Sequence, residues 1–211
     1  PIPSDKGVPL LSQNRQFQWF NKPTFIYPMV PAYAATMAKE AGHEVMWCDA
    51  IAERLTPDQF ENKYRQFAPD FTLIEAKTPI IKSYWKTIAE LKRIHPAGLI
   101  AICGDHVTAL PEETMQNCPV DFILAGGDYD FSMTELLQQL AEDREPDVGG
   151  LHYRRDDRIV STGSYELTHS LDELPLIDRD LTKWKLYAYE NGNYKYTPGT
   201  YTMVGRDCWW G

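Results

Sequence analysis

Three short polar segments in this chain each follow an apolar run: Glu75-Ala76-Lys77-Thr78-Pro79, Gly104-Asp105-His106-Val107-Thr108 and Gly126-Gly127-Asp128-Tyr129-Asp130. In an open parallel sheet, ligands sit beyond the carboxyl ends of the strands, so these are the residues placed to do binding chemistry. Two of the three are glycine turns entering a helix, which lets a ligand approach the backbone and presents helix N-termini to anionic groups. A lone glycine after a strand is only a tight turn; three small, polar strand ends on one edge make a candidate site. Familiar nucleotide signatures are missing. There is no GxGxxG, since Gly126-Gly127 lacks a third glycine, and no GxxxxGK[ST]. His106 has no Cys or His partner at metal spacing and reads as a hydrogen-bonding turn residue. Asp105 beside it is either an acid or a turn residue. Cys48, Cys103 and Cys118 lie in or next to apolar runs and read as buried small hydrophobes.

These segments need a scaffold, and the flanking patterns supply one. Pro31 to Ala41 is alanine-rich, opens on proline and stops at Gly42, which predicts a helix. His43 to Cys48 reads as a strand. Thr56-Pro57-Asp58-Gln59 resembles a capping box opening a helix to about Phe67. Phe71 to Glu75 is a short strand. After Thr78-Pro79, Ile81, Tyr84, Trp85, Ile88 and Leu91 share one helical face. Gly98 to Cys103 is the continuous apolar run of a strand covered on both faces. Pro111-Glu112-Glu113 starts the next helix, Asp121 to Ala125 the next strand, and Ser132 to Glu135 forms a second capping box leading to about Glu142. Strands alternating with helices predict an α/β, doubly wound parallel sheet over residues 1–145. Near Pro146 the character changes: Gly150 to Thr162 reads as a β-hairpin, followed by an irregular, proline-broken acidic linker. Residues 146–211 are therefore expected to be an extension. Residues 1–26 hold no clean strand run, so the central first strand is expected to be missing from the given chain.

Composition narrows the function classes. The chain has 211 residues, 43% of them apolar and 24% charged, which is globular. Its net charge of −9, with no basic run, argues against nucleic-acid binding. No apolar stretch approaches the roughly 20 residues that cross a bilayer. With no leader pattern and four widely spaced cysteines, a reduced cytoplasmic protein is expected. The ends, Pro1 and Arg206-Asp207-Cys208-Trp209-Trp210-Gly211, read as cuts from a longer chain.

Several pieces, in order along nearly the whole chain, resemble one family. Pro31 to Val45 is similar to the first helix and second strand of the cobalamin-binding domain of radical SAM enzymes. Gly104-Asp-His-Val-Thr-Ala-Leu-Pro-Glu-Glu113 resembles that family's GG-x-H-x-TALPEE segment, and Gly126-Gly127-Asp128 stands in the place of its GEGE turn. Leu171-Asp-Glu-Leu-Pro-Leu-Ile-Asp-Arg-Asp180 is similar to its linker, and Gly205-Arg-Asp-Cys208 to the start of its CxxxCxxC motif. The resemblance implies a flavodoxin-like (Rossmann-like) domain that binds cobalamin, with the nucleotide tail beside the sheet and the corrin across its carboxyl edge. Ala76, Lys77, Thr78, Gly104, Asp105, His106, Val107, Thr108, Gly126, Gly127 and Asp128 are the implied cofactor-binding residues. In the parent chain, Cys208 would be the first ligand of a four-iron four-sulfur cluster. A radical SAM barrel would cleave S-adenosylmethionine there and act on a small-molecule substrate, often by methyl transfer. This sequence departs from the family at the GEGE turn, where Asp128 replaces the first glutamate, and it lacks the DxHxxG signature of lower-axial histidine ligation. Two other readings compete: a stand-alone flavodoxin-like domain for a flavin or sugar nucleotide, and a receiver-like signalling domain with Asp49 as its lone candidate phosphoacceptor.

Overall fold

The structure is a computed structural model that describes residues 8–10, 18–20, 24–156 and 158–206. The chain divides into two compact units, Pro1–Pro57 with His169–Gly211, and Asp58–Thr168.

In the first unit, β1 (Val8–Leu10) pairs antiparallel with β2 (Gln18–Phe20). Helix α1 (Met29–Glu40) buries Ala32, Ala34, Thr36 and Ala38. At 3.6 residues per turn these fall on two opposite sides, Ala32 with Thr36 and Ala34 with Ala38, so this helix is covered on both. The acidic linker fastens to this helix: the Asp178 amide donates to Thr36 Oγ1 at 3.0 Å, and the Asp178 carboxylate pairs with Lys39. The Leu181 amide and then the Lys39 ammonium hold Asp178 below its usual pKa. The unit's apolar core gathers Phe25, Tyr27, Met29, Ala32, Ala52 and Tyr187.

The Tyr187 hydroxyl donates to Asp49 Oδ2 at 2.8 Å and accepts from Trp47 Nε1 at 3.3 Å. Burial, and then the Asp49 charge, push its pKa far above the ordinary tyrosine value. An unfolded tyrosine ionises near pH 10 while this one stays neutral. Its contribution is therefore complete below about pH 10 and is lost as the pH rises beyond it. Tyr187→Phe is expected to cost about 1–2 kcal/mol at neutral pH and to flatten that alkaline loss. Urea unfolding at pH 7 and pH 11 measures both.

The second unit begins with α2 (Pro57–Phe67) and is built on a five-stranded mixed sheet. Its strands are β3 (Phe71–Glu75), β4 (Leu99–Cys103), β5 (Phe122–Leu124), β6 (Leu151–Arg155) and β7 (Arg158–Ser161), in that spatial order. β3, β4 and β5 run parallel; β6 and β7 are antiparallel additions. The intervening helices are α3 (Ile81–Ile94), the short α4 (Asp105–Ala109), α5 (Pro111–Asn117) and α6 (Tyr129–Ala141). Alternation along β4 sends Ile100 and Ile102 to one face. There they meet Ile123 of β5, Ile81, Ile88 and Leu91 of α3, Met115 of α5 and Tyr64 of α2. On the other side the Phe71, Phe122 and Tyr153 rings follow one another at 6.4 Å spacings. Helix α6 buries Phe131, Met133 and Leu136 outside the first cluster, so helices lie on both sides of the sheet.

The amino ends of the strands are pinned by charge. The Asp121 carboxylate accepts the Ile100 amide at 2.7 Å and pairs with Lys92 at 2.7 Å. Arg154 of β6 donates to the carbonyls of Val120, Cys118 and Met115, tying the end of α5 to the sheet.

Some sequence expectations need correction. His43 to Cys48 is not a strand in the described structure. A strand needs a ladder partner, and this segment is instead held by side chains: Trp47 reaches Tyr187, and Asp49 accepts the Ile51 and Ala52 amides at 3.0 Å. Ser132 does not cap a helix. The turn at Gly126-Gly127 lets α6 start four residues earlier, with Asp128 as N-cap, and leaves Ser132 buried inside it. Two short strands, β1 and β2, lie where the proline-rich sequence gave no strand run.

Candidate cofactor-binding site

Parallel register sets the site. Glu75 pairs with Cys103, and Cys103 with Leu124, so the three loops leave the sheet in one row, through Ala76, Gly104 and Ala125. Each loop is tied to its neighbour. The Ala76 amide donates to the Cys103 carbonyl at 2.9 Å, and Thr108 Oγ1 accepts the Gly126 amide at 3.0 Å while donating to the Gly104 carbonyl at 2.9 Å. The Thr108 hydroxyl thus bridges the β4 and β5 loops.

Lys77 is 5% exposed, yet its ammonium lies 3.1 Å from Glu75 Oε1 and 3.5 Å from Asp105 Oδ2. A cation withdrawn from water at this depth is stable only with such partners. It joins the β3 and β4 loops electrostatically. Thr78 next to it opens a short 3-10 turn (Thr78–Ile80) and is exposed.

Gly104 sits at φ +113°, where a side chain at its Cβ position would lie 2.3 Å from the Ala76 carbonyl oxygen. The glycine therefore lets two strand ends close together. Gly126 sits at φ +106°, and its missing Cβ would lie 2.5 Å from Cγ of Tyr165. Gly127, by contrast, is exposed and faces nothing within 4 Å. Asp128 is buried at the start of α6.

His106 points inward. It is 5% exposed, its Nε2 lies 3.1 Å from Glu113 Oε2, and its ring meets the edge of Trp85 at 6.3 Å. Val107 beside it is fully buried in the core. So the structure brings Ala76, Lys77, Thr78, Gly104, Asp105, Thr108, Gly126, Gly127 and Asp128 to one edge, while His106 and Val107 support that edge from within. Cys208 lies outside the described residues.

Neither buried thiol offers reactivity: burial raises the Cys103 pKa well above the ordinary thiol value and pushes Cys118 up to about 11. Among the described residues, no group of three or more His, Cys, Asp or Glu could hold a metal ion. Asp49 has both carboxylate oxygens engaged, with Ile51, Ala52 and Tyr187, as a structural cap.

Glu75 stood in the first strand-end segment, but its pairing with Lys77, two residues on along the same side of the chain, was not read from the sequence. Tyr165 went unread altogether: nothing local says that a tyrosine from the segment after β7 lies over Gly126.

Comparison with known proteins fits this geometry. The B12 binding domain family matches residues 23–132, which is just over half of the chain and includes all three strand-end loops. The chain is 28% identical over 182 residues to a protein of Pyrococcus horikoshii described as an uncharacterized methyltransferase, PH0819, covering 86% of this chain and 38% of that protein. It is 25% identical over 169 residues to the anaerobic magnesium-protoporphyrin IX monomethyl ester cyclase of Cereibacter sphaeroides, covering 77% of this chain and 27% of the cyclase. The chain thus spans well under half the length of these relatives. Two solved structures share the fold. One is the radical S-adenosylmethionine methyltransferase TsrM of Kitasatospora setae with cobalamin and a [4Fe-4S] cluster bound, at a TM-score of 0.56 and 16% identity, covering 71% of this chain and 28% of TsrM. The other is the cobalamin-dependent S-adenosylmethionine radical enzyme OxsB, at a TM-score of 0.59 and 14% identity, covering 76% and 23%. The family match takes in every loop of the strand-end row, and on that ground the chain belongs to the B12-binding domain family.

Proposed function

We propose that this chain is the cobalamin-holding module of a radical SAM enzyme of the methyl-transfer type, and that it presents the corrin to a barrel domain in the same, longer polypeptide. The observation that carries this reading is that one family match, over residues 23–132, takes in the whole row of strand-end loops. The relatives support it, being described as a methyltransferase and as cobalamin-containing radical SAM enzymes.

The residues at the edge suit such a group. A corrin is fringed with amide side chains, which need hydrogen-bonding partners at their periphery. Thr78 is exposed, the Asp105 side chain is 40% exposed, and Gly127 leaves backbone open with nothing within 4 Å. Bound cobalamin supplies a cobalt centre able to carry a methyl group, chemistry that no side chain possesses. The chain's own share is to hold and orient. Lys77, clamped by Glu75 and Asp105, fixes the β3 and β4 loops against each other; Thr108 does the same for β4 and β5. On this reading residues 1–145 are the cofactor domain, residues 146–211 lead toward the barrel, and Cys208 is the first cluster ligand of the parent enzyme.

The test is to recover the native polypeptide anaerobically from its source cells with an antibody raised against this chain. A polypeptide much longer than 24.2 kDa, carrying corrinoid, iron and acid-labile sulfide, is the expected result. A polypeptide of that mass, or a longer one without iron, contradicts the radical SAM assignment.

A further inference from the structure

The glycine turn after β5 is filled by the chain itself. A Cβ on Gly126 would lie 2.5 Å from Cγ, 2.7 Å from Cδ1 and 3.0 Å from Cβ of Tyr165, and a Cβ on Gly150 would lie 2.8 Å from Cβ of Tyr165. Two glycines in separate loops thus form a seat for one aromatic ring. The hydroxyl end of Tyr165 is buried beside Asp128, and burial, then the Asp128 charge, pushes its pKa up to about 12. The carrier of this ring is unlike its seat. Residues 162–168 have no regular secondary structure, are exposed or half-buried throughout, and lie outside the stretch 23–132 that the family shares. Of the seat, Gly126 and the neighbouring Gly127 and Asp128 lie inside that stretch and Gly150 outside it.

We infer that Tyr165 is a gate: the segment 162–168 straps its ring into the cradle of Gly126 and Gly150, and a ligand reaching into the β5 loop must first displace it. This inference rests on the cobalamin reading, because the entering ligand is the nucleotide tail of the corrinoid. The physical basis is competition for one space. Ring and ligand cannot occupy the seat together, so the apparent affinity is lowered by the fraction of molecules in which the seat is open. The strap's weak anchorage suits such a role. Thr162 holds its start, through a hydroxyl bond to the Val148 carbonyl at 2.6 Å, and beyond Tyr165 the segment has only exposed residues up to Thr168.

The experiment uses the full chain, hydroxocobalamin as probe, and a glutamate-specific protease that cuts after the exposed Glu166. Tyr165→Ala is expected to bind hydroxocobalamin roughly tenfold faster than the unaltered chain, as for a seat closed about nine-tenths of the time. Tyr165→Phe, which keeps the ring and loses the hydroxyl, is expected to fall between them and guards against a folding failure of the alanine variant. Cleavage after Glu166 should be slow in the unaltered chain, faster once hydroxocobalamin is added, and fast in Tyr165→Ala with or without it. Equal binding rates in all three proteins, or cleavage indifferent to hydroxocobalamin, overturn the gate and leave the cofactor reading intact. Retention of the corrinoid by Tyr165→Ala alone supports the gate in its strongest form. Folded proteins that all fail to retain it overturn the cofactor reading and the gate with it.

Discussion

Gly104→Ala is expected to lower the stability of the sheet unit by roughly 2–6 kcal/mol and to abolish corrinoid retention. Two costs combine. At φ +113° an L side chain is strained, which costs about 1–3 kcal/mol. The new methyl group would also meet the Ala76 carbonyl oxygen at 2.3 Å, and relieving that overlap costs about 1–3 kcal/mol more. The clash is with backbone, so no side-chain rotation relieves it. The β3 and β4 strand ends must part, loosening the Ala76 amide from the Cys103 carbonyl and Lys77 from Asp105. Gly127→Ala is the matched control. It meets nothing within 4 Å, so its urea midpoint should stay within about 0.5 kcal/mol of the parent. If the open backbone at Gly127 is where the cofactor approaches, that variant folds normally and still binds more weakly. Urea unfolding of the three proteins, set beside their corrinoid retention, separates the roles of the two glycines. Equal stability of Gly104→Ala and the parent would refute the packing account.

The second large effect is expected at Lys77. Lys77→Met fills the same space and removes the charge, leaving Glu75 and Asp105 facing each other without their counter-ion. Removing one partner of a buried pair costs about 3–5 kcal/mol; because the Glu75 and Asp105 side chains are 16% and 40% exposed, about 2 kcal/mol is expected here. Most of that cost belongs to the stranded carboxylates and not to the lost attraction. Glu75→Gln in the Lys77→Met background should therefore recover more than half of it. A double-mutant cycle from urea midpoints measures the coupling. If the two substitutions add without coupling, Lys77 is not held in the way the geometry indicates.

The elements that position the site were legible because they are local. The apolar run Leu99–Cys103, the face of Ile81, Ile88 and Leu91, and the proline at the head of α5 each sit within one stretch of sequence. Their alternation was enough to place three polar loops on one edge. What escaped depends on partners far along the chain. His43 to Cys48 has the residues of a strand, and only its lack of a ladder partner among the described residues decides otherwise. Gly150 to Thr162 read as separate from the sheet, yet β6 lies beside β5, with Tyr153 opposite Phe122. Gly104 and Gly126 look alike in sequence, but one faces the Ala76 carbonyl and the other the Tyr165 ring. His106 sat in a segment resembling a cofactor loop, while its ring turns inward to Glu113 and Trp85 because helix α4 begins one residue earlier. Periodicity reports which face a residue takes; it does not report what lies across from it.

The most direct test of the central claim is to mix the purified chain with hydroxocobalamin, remove unbound ligand by gel filtration, and record the visible spectrum. The account predicts a corrinoid band retained at one equivalent per chain and shifted toward the base-off form, as when the nucleotide tail lies at the β5 loop and not on the cobalt. A folded sample that elutes without colour, both as the unaltered chain and as Tyr165→Ala, would contradict it.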